Sequence, residues 1–141
     1  MSFYVDTSVI VAAVGKETET VASQHWLARQ PSRSLFISDW VETEFASAYA
    51  LKLRHGDVTD DQRQLAASVF SRLVARSLIS VAIERRHFRA AARFAGVEHF
   101  GLRAADALHV AICFDRGLGL CTLDRRMAEA GTTLGLVVEM P

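Results

Sequence analysis

Residues 102–124 combine a helical pattern, a glycine stop and a short apolar run. In a helix, Leu102 and Cys113 share a face with Asp106, because residues three or four positions apart lie on the same side. Two glycines then end the helix, and residues 120–123 have the largely apolar character of a buried parallel strand. The stretch therefore predicts a core helix that leads into a strand of a parallel sheet.

Each half of this stretch carries an acidic residue in an unusual place. Asp106 points inward, and a lone buried carboxylate costs several kcal/mol unless it has an arginine partner, a capping role or a cation. Arg103, one turn earlier, is the local candidate partner. Asp124 follows the strand and precedes the next helix, so it fits an N-cap as well as a ligand site.

Composition limits the possible function classes. A chain of 141 residues, 50% of them hydrophobic, suits a single domain over residues 1–141. Its 16 basic and 16 acidic residues create no overall basic field, so phosphate binding would depend on local charge or a bound cation.

Two features bear on the compartment. Cys113 and Cys121 match no metal-ligand spacing and are interpreted as reduced core thiols, with a disulfide as the alternative. No secretory leader and no 18-residue apolar run is present. We therefore expect a cytoplasmic protein with no membrane segment.

Strand-like and helix-like segments alternate along the chain. The predicted strands are residues 3–5, 35–37, 78–83, 120–123 and 134–138, and the predicted helices are residues 9–14, 18–29, 39–55, 59–76, 86–95, 102–116 and 125–130. This order predicts an α/β domain with a central, mostly parallel sheet of four or five strands, flanked by helices on both faces.

The helix over residues 59–76 has the clearest start signal. Thr59 and Gln62 are spaced as a capping box, in which each side chain bonds to the backbone of the other residue. Leu65, Val69 and Leu73 follow at helical spacing, and we expect them on the core side of this helix.

Four acidic residues lie where a parallel sheet binds its ligands. Asp6 and Asp124 follow strands, whereas Glu44 and Asp106 interrupt apolar stripes early in helices. Ligands in such sheets bind at the carboxyl ends of the strands. Four converging carboxylates repel one another by roughly 3 kcal/mol per pair at 5 Å. A hard divalent cation, Mg²⁺ or Mn²⁺, would compensate this repulsion.

The segments around these acids are Asp-Thr-Ser at 6–8, Glu44 in an early helix, Leu-Arg-Ala-Ala-Asp-Ala-Leu-His at 102–109 and Thr-Leu-Asp-Arg-Arg at 122–126. Their order and spacing, over essentially the whole chain, resemble the PIN-domain ribonucleases, specifically the VapC-type toxins of bacterial toxin–antitoxin pairs. The resemblance departs at Ala104 and Met127, neither of which is an acid.

The resemblance implies a three-layer PIN-like domain and a set of site residues. The implied catalytic and metal-binding acids are Asp6, Glu44, Asp106 and Asp124. The hydroxyls of Ser8 and Thr122 would support the cluster or its waters. Arg103, Arg125 and Arg126 are candidates to bind substrate phosphates, and Arg103 could instead pair with Asp106.

The activity that the resemblance implies is hydrolysis of an RNA phosphodiester with Mg²⁺, or Mn²⁺, as cofactor. The products would carry 5′-phosphate and 3′-hydroxyl ends. Relatives of this kind are toxins that form homodimers and are neutralised by a cognate VapB-type antitoxin. A non-toxin PIN-fold nuclease that processes RNA is the alternative within the same family.

Other functions fit the sequence less well. A haloacid-dehalogenase-like phosphatase needs a second Asp two residues after Asp6, where this chain has Ser8. A flavodoxin-like phosphoacceptor domain needs paired acids near the first strand and a Lys after the fifth, and the only lysines are Lys16 and Lys52. An inactive PIN-like binding module would lack one of the acids, and none is missing.

Structural roles compete with several of these assignments. Asp6 could cap the helix that follows it, and Glu44 could form a boundary salt bridge. We interpret His109 as a hydrogen-bonded core histidine rather than a ligand, because hard cations favour oxygen. The basic face of the helix over residues 86–95 is usually only solvated surface.

Overall fold

A computed structural model describes all 141 residues. The strands are β1 (Phe3–Val5), β2 (Leu35–Ser38), β3 (Leu78–Val81), β4 (Gly119–Cys121) and β5 (Val138–Glu139). The α-helices are α1 (Thr7–Val14), α2 (Thr20–Ala28), α3 (Asp39–Arg54), α4 (Asp60–Ser77), α5 (Arg85–Ala95), α6 (Ala104–Arg116) and α7 (Arg125–Thr133), and a 3₁₀ turn covers Glu98–Phe100.

The five strands form one sheet in the order β3-β2-β1-β4-β5, and all four pairings are parallel. Tyr4 of β1 pairs with Phe36 on one side and with Leu120 on the other. The chain first moves outward from β1 to β3 and then crosses back to β4. The change of direction lies between β1 and β4, which is where sheets of this kind bind ligands.

The helices cover the sheet in two groups. Helices α1 to α4 contact one another, and α5, α6 and α7 form the second group. Crossovers between parallel strands are right-handed as a rule. Because the chain moves across the sheet in the opposite direction after β3, this rule puts the first group of helices on one face and the second on the other. The result is the three-layer α/β architecture that the sequence predicts.

The core lies around β1 and α6. All three β1 residues are buried, and α6 is buried without interruption over residues 107–113. Cys113 and Cys121 are free buried thiols, so the alternative of a disulfide is not formed. None of the helices combines the length and the hydropathy that a membrane crossing requires.

Several segment boundaries differ from the prediction. β3 ends at Val81 instead of continuing to residue 83, and the last strand is Val138–Glu139 rather than residues 134–138. α7 runs on to Thr133, and a left-handed turn at Gly135, with φ of +85°, then separates the helix from the strand.

The buried face of α4 is also rotated relative to the prediction. Thr59 and Gln62 form the predicted capping box, but Leu65 is 63% exposed. The residues that α4 buries are Ala66 and Phe70. The ring of Phe70 lies 4.4 Å, centroid to centroid, from that of Phe45 on α3, and this contact fixes which side of α4 faces inward.

Candidate active site

The four predicted acids meet at the point where the sheet changes direction. Asp6 joins β1 to α1, and Asp124 lies between β4 and α7. Asp106 is in the first turn of α6, and Glu44 is in the second turn of α3. Glu44, Asp106 and Asp124 line one open cleft of about 600 Å³, and Asp6 lies buried beside it.

Asp6 is the most buried of these acids, with 4% of its surface exposed. Its Oδ2 accepts hydrogen bonds from the hydroxyls of Ser8, at 2.5 Å, and Thr122, at 2.8 Å. Its Oδ1 has no hydrogen bond and lies 3.6 Å from Nε2 of His109. One carboxylate oxygen therefore fixes the side chain, and the other is directed at the cluster.

The two hydroxyls that bind Asp6 are themselves fixed by the backbone. The Ser8 hydroxyl accepts a 3.0 Å hydrogen bond from the N–H of Leu123, and the Thr122 hydroxyl accepts one of 3.0 Å from the N–H of Asp124. The bond from Leu123 to Ser8 and the bond from Thr122 to Asp6 join the segment after β4 to the segment after β1. The structure thus places both predicted supporting hydroxyls against Asp6.

Glu44 is anchored in the same way through a single oxygen. Its Oε1 accepts a 2.7 Å hydrogen bond from the hydroxyl of Thr7 and another from Nε2 of His109, whereas Oε2 has no partner in the protein. Burial alone would raise the pKa of Glu44, but the hydrogen bonds and the charge of His109 outweigh it and lower that pKa. Glu44 is therefore ionised at neutral pH.

His109 is fully buried, and both of its ring nitrogens are bonded. Its Nδ1 lies 2.8 Å from the hydroxyl of Tyr4, and that hydroxyl lies 2.7 Å from the hydroxyl of Ser38. Burial tends to lower the pKa of His109, but the bond to Glu44 and the negative charge of Asp6 and Glu44 raise it overall. The geometry agrees with a hydrogen-bonded core histidine.

Asp106 differs from the other acids because its carboxylate makes no hydrogen bond to the protein. It is half-buried, and burial together with the charges of Asp124 and Asp6 raises its pKa. Arg103 does not come within 4.0 Å of it, so the alternative of an Arg103–Asp106 pair is not formed. Its negative charge is left without a protein counter-ion.

Asp124 combines the two roles that the sequence left open. Its Oδ1 accepts a 3.0 Å hydrogen bond from the N–H of Met127, which makes Asp124 the side-chain N-cap of α7. The same side chain lines the cleft that Asp106 and Glu44 share. A cap needs only one carboxylate oxygen, so the other remains available to the cleft.

Three arginines line the cleft beside the acids. Arg103, Arg125 and Arg126 are exposed, and none of them forms an ion pair. Arg86 on α5, by contrast, bonds to Asp115 through Nε at 3.0 Å. Unpaired guanidinium groups at the edge of an acidic site can bind the phosphates of a substrate.

The donor set fits a hard divalent cation. Asp6, Glu44 and His109 each offer one possible ligand atom, and these three atoms lie within 4.8 Å of one another. Two ligand oxygens on one Mg²⁺ are at most about 4.2 Å apart, so a small movement would bring these acids onto one ion. Mg²⁺ and Mn²⁺ prefer oxygen, and both nitrogens of His109 are occupied.

The sequence did not single out Thr7 or Tyr4 as parts of this site. Thr7 lies between the predicted site residues Asp6 and Ser8, so its position in that triplet was an available signal. In the sequence, Tyr4 is an ordinary residue of the first predicted strand. Its bond to His109, 105 positions away, follows from the tertiary structure and leaves no local signal.

Comparison with known proteins identifies the family of this chain. The family model described as the PIN domain matches residues 3–132. No curated protein sequence matches the chain.

Solved structures share the fold at low sequence identity. VapC20 of Mycobacterium tuberculosis, described as a Sarcin-Ricin loop cleaving toxin, is 16% identical with a TM-score of 0.76, over 99% of this chain and 100% of that one. PAE2754 of Pyrobaculum aerophilum is 20% identical with a TM-score of 0.72, over 98% and 83%. A chain of the FitAcB structure from Neisseria gonorrhoeae is 18% identical with a TM-score of 0.68, over 96% and 95%. These likenesses concern the fold. The family match covers nearly the whole chain, and the protein therefore belongs to the PIN domain family.

Proposed function

We propose that this protein is a divalent-metal-dependent endoribonuclease that acts as a VapC-type toxin. The observation that carries the proposal is the convergence of three acids on one cleft with Asp6 buried beside it. Asp6, Glu44 and Asp124 are each fixed through one oxygen, and the other is left free. The residues proposed to hold the cation and to carry the reaction are Asp6, Glu44, Asp106 and Asp124.

Mg²⁺, or Mn²⁺ in its place, would supply a water of lowered pKa and would neutralise charge on the scissile phosphate. Asp6 and Glu44 keep one free oxygen each toward the cluster because hydroxyls and His109 bind the other. Asp106 contributes a carboxylate with no competing hydrogen bond. The chain needs no nucleophile of its own, so the products would be a 5′-phosphate and a 3′-hydroxyl.

The substrate is proposed to be RNA, bound in part by Arg103, Arg125 and Arg126. These three side chains lie along the cleft, so they can contact phosphates that flank the scissile bond. The chain has no net charge, and this local group therefore supplies the positive field that the whole molecule lacks.

The toxin role draws on the structural neighbours. A VapBC structure from Rickettsia felis and the FitAB structure, both with a DNA fragment, share the fold, as does a toxin–antitoxin complex from Klebsiella pneumoniae. We propose a VapB-type antitoxin as the partner of this chain, a homodimer as its assembly and the cytoplasm as its compartment.

The phosphatase alternative is disfavoured by the surroundings of Asp6. A nucleophilic aspartate needs an oxygen that can attack phosphorus and a second acid two residues later. Here that position is Ser8, which has no acidic group and instead donates a 2.5 Å hydrogen bond to Oδ2 of Asp6. The environment of Asp6 suits cation binding better than covalent catalysis.

The test compares two neighbouring acids on α3. Purified wild-type chain should cut RNA with Mg²⁺ or Mn²⁺ and should stop in EDTA. Glu44→Gln should lose at least about 100-fold in rate, whereas Glu42→Gln, at an exposed position two residues earlier, should cut like wild type.

The same comparison extends to the other acids and to cells. Asp6→Asn and Asp106→Asn should abolish cutting and relieve growth arrest on expression. Wild-type cutting by Asp106→Asn, in preparations free of contaminating nuclease, would contradict the site assignment.

A further inference from the structure

We propose that His109 is a positioning residue that orients Glu44 for cation binding, at the end of a buried hydrogen-bonded chain that starts at Ser38 and passes through Tyr4. The inference rests on the proposed metal-dependent function and adds to it a role for three residues outside the acid set. Each of the three is completely buried.

The chain of contacts is continuous. The hydroxyl of Ser38 lies 2.7 Å from the hydroxyl of Tyr4, which lies 2.8 Å from Nδ1 of His109. Nε2 of His109 then bonds to Oε1 of Glu44. These residues come from the end of β2, from β1, from α6 and from α3, so the chain joins four elements of the fold.

The hydrogen-bonded chain fixes the side chain of Glu44 through one of its two oxygens. Both donors, the Thr7 hydroxyl and Nε2 of His109, bind the same oxygen, Oε1. The Glu44 side chain is 25% exposed, so without these bonds it could adopt several rotamers in the cleft. With them, Oε2 is left without a protein hydrogen bond and the side chain is fixed in the cleft.

Hydrogen bonds hold the imidazole ring of His109 in one orientation. Its two nitrogens have Tyr4 and Glu44 as their hydrogen-bond partners, and no backbone group competes for either. The Tyr4 ring lies 5.5 Å from the His109 ring, centroid to centroid, and packs beside it. A buried ring bonded at both ends keeps a single orientation, because leaving either nitrogen unpaired is costly.

The test uses two amides that each replace one ring nitrogen. The amide nitrogen of Gln reaches the place of Nε2, so His109→Gln keeps a donor for Glu44. The amide of Asn reaches only the place of Nδ1, so His109→Asn keeps the contact with Tyr4 and loses the one with Glu44. The measurement is the Kd for Mn²⁺ on RNA-free protein, by titration calorimetry and by electron paramagnetic resonance.

We expect His109→Asn to weaken Mn²⁺ binding by about 10-fold or more and His109→Gln to stay within about 3-fold of wild type. Tyr4→Phe removes only the hydroxyl in the middle of the chain and should weaken binding by about 3-fold. Thermal unfolding in EDTA gives the stability of every variant independently of the metal.

A role limited to packing gives a different pattern. The Asn and Gln variants would then lose stability in EDTA to similar extents and bind Mn²⁺ equally, and equal Kd values would overturn the inference. Should His109→Asn fail to fold, an unchanged Kd in Tyr4→Phe would overturn it instead. If wild-type protein binds no Mn²⁺, the proposed function fails and the inference fails with it. If wild-type protein binds Mn²⁺ and the variants show the packing pattern, only the inference fails.

Discussion

The hydroxyl of Thr122 donates a 2.8 Å hydrogen bond to Asp6, although 116 positions separate the two residues in the chain. The same hydroxyl accepts a 3.0 Å bond from the N–H of Asp124. One small side chain thereby links the acids that follow β1 and β4, the two strands between which the sheet changes direction.

Thr122→Val tests this link, because valine has nearly the same shape and lacks the hydroxyl. We expect the rate of RNA cleavage to fall about 10- to 100-fold and the free energy of unfolding to fall by about 1–3 kcal/mol. Single-turnover cleavage and urea unfolding measure the two effects. Thr122→Ser keeps the hydroxyl and is the matched control, and a valine variant as active as the serine variant would contradict the prediction.

Asp106→Asn should stabilise the metal-free protein while it abolishes metal binding. Burial, and then the neighbouring acids, raise the pKa of Asp106, so its ionised form destabilises the fold as pH rises through that pKa. We expect a gain of about 1 kcal/mol at pH 7, or about 3 °C in Tm, that vanishes in acid as the native carboxyl protonates.

Added Mg²⁺ should reverse this ranking. Wild-type protein should gain stability from the ion and the Asn variant should not, because only the state that binds the ion is favoured by it. Scanning calorimetry in EDTA and in Mg²⁺ makes the comparison. An Asn variant less stable than wild type in EDTA would show that the charges around Asp106 are already compensated.

Asp115→Asn should weaken the junction between α5 and α6. The hydrogen bond from His87, at 2.9 Å, and then the bonds from Arg86, lower the pKa of Asp115. A lowered carboxyl pKa contributes stability above the ordinary value of 3.8, and the contribution is lost as pH falls through the lowered pKa.

The expected loss at neutral pH is on the order of 1 kcal/mol after allowance for solvent screening at this partly exposed carboxylate. Urea unfolding at pH 7 and near pH 3 checks it. The difference between variant and wild type should shrink at the lower pH. Asp57→Asn, at an exposed position without an ion pair, is the control for the loss of one surface charge.

Arg126→Ala should weaken RNA binding without affecting the cation. Loss of one phosphate contact reduces affinity several-fold at low salt and lowers the slope of log Kd against log salt concentration by about 1. Fluorescence anisotropy in an Asp6→Asn background measures binding without cleavage. Arg72→Ala, exposed on α4, is the control. Equal salt slopes for the two variants would exclude Arg126 from the RNA contact.

Much of the fold follows from local patterns. The capping box of Thr59 and Gln62 begins α4 where the sequence predicts it, and each predicted strand has a counterpart in the sheet. The four acids could be grouped because parallel strands bring their carboxyl ends to one edge, which is a rule of topology. Asp6 and Asp124 satisfy that rule directly.

The details of bonding could not be predicted, because they depend on distant contacts. The sequence suggests a core histidine at position 109, but only the fold brings its Nε2 to Glu44, 65 residues away. The face of α4 is similar. The stripe through Leu65 and the stripe through Phe70 are both apolar, and the contact between Phe70 and Phe45 decides between them.

The strand order also determines when during synthesis the site can exist. β1 needs β4 as its neighbour, and two other strands, β2 and β3, lie between them in the chain before Gly119 is made. A nascent chain that has emerged as far as residue 100 has two of the four carboxylates and no strand on that side of β1. The four carboxylates therefore cannot come together until the chain has been made as far as Asp124.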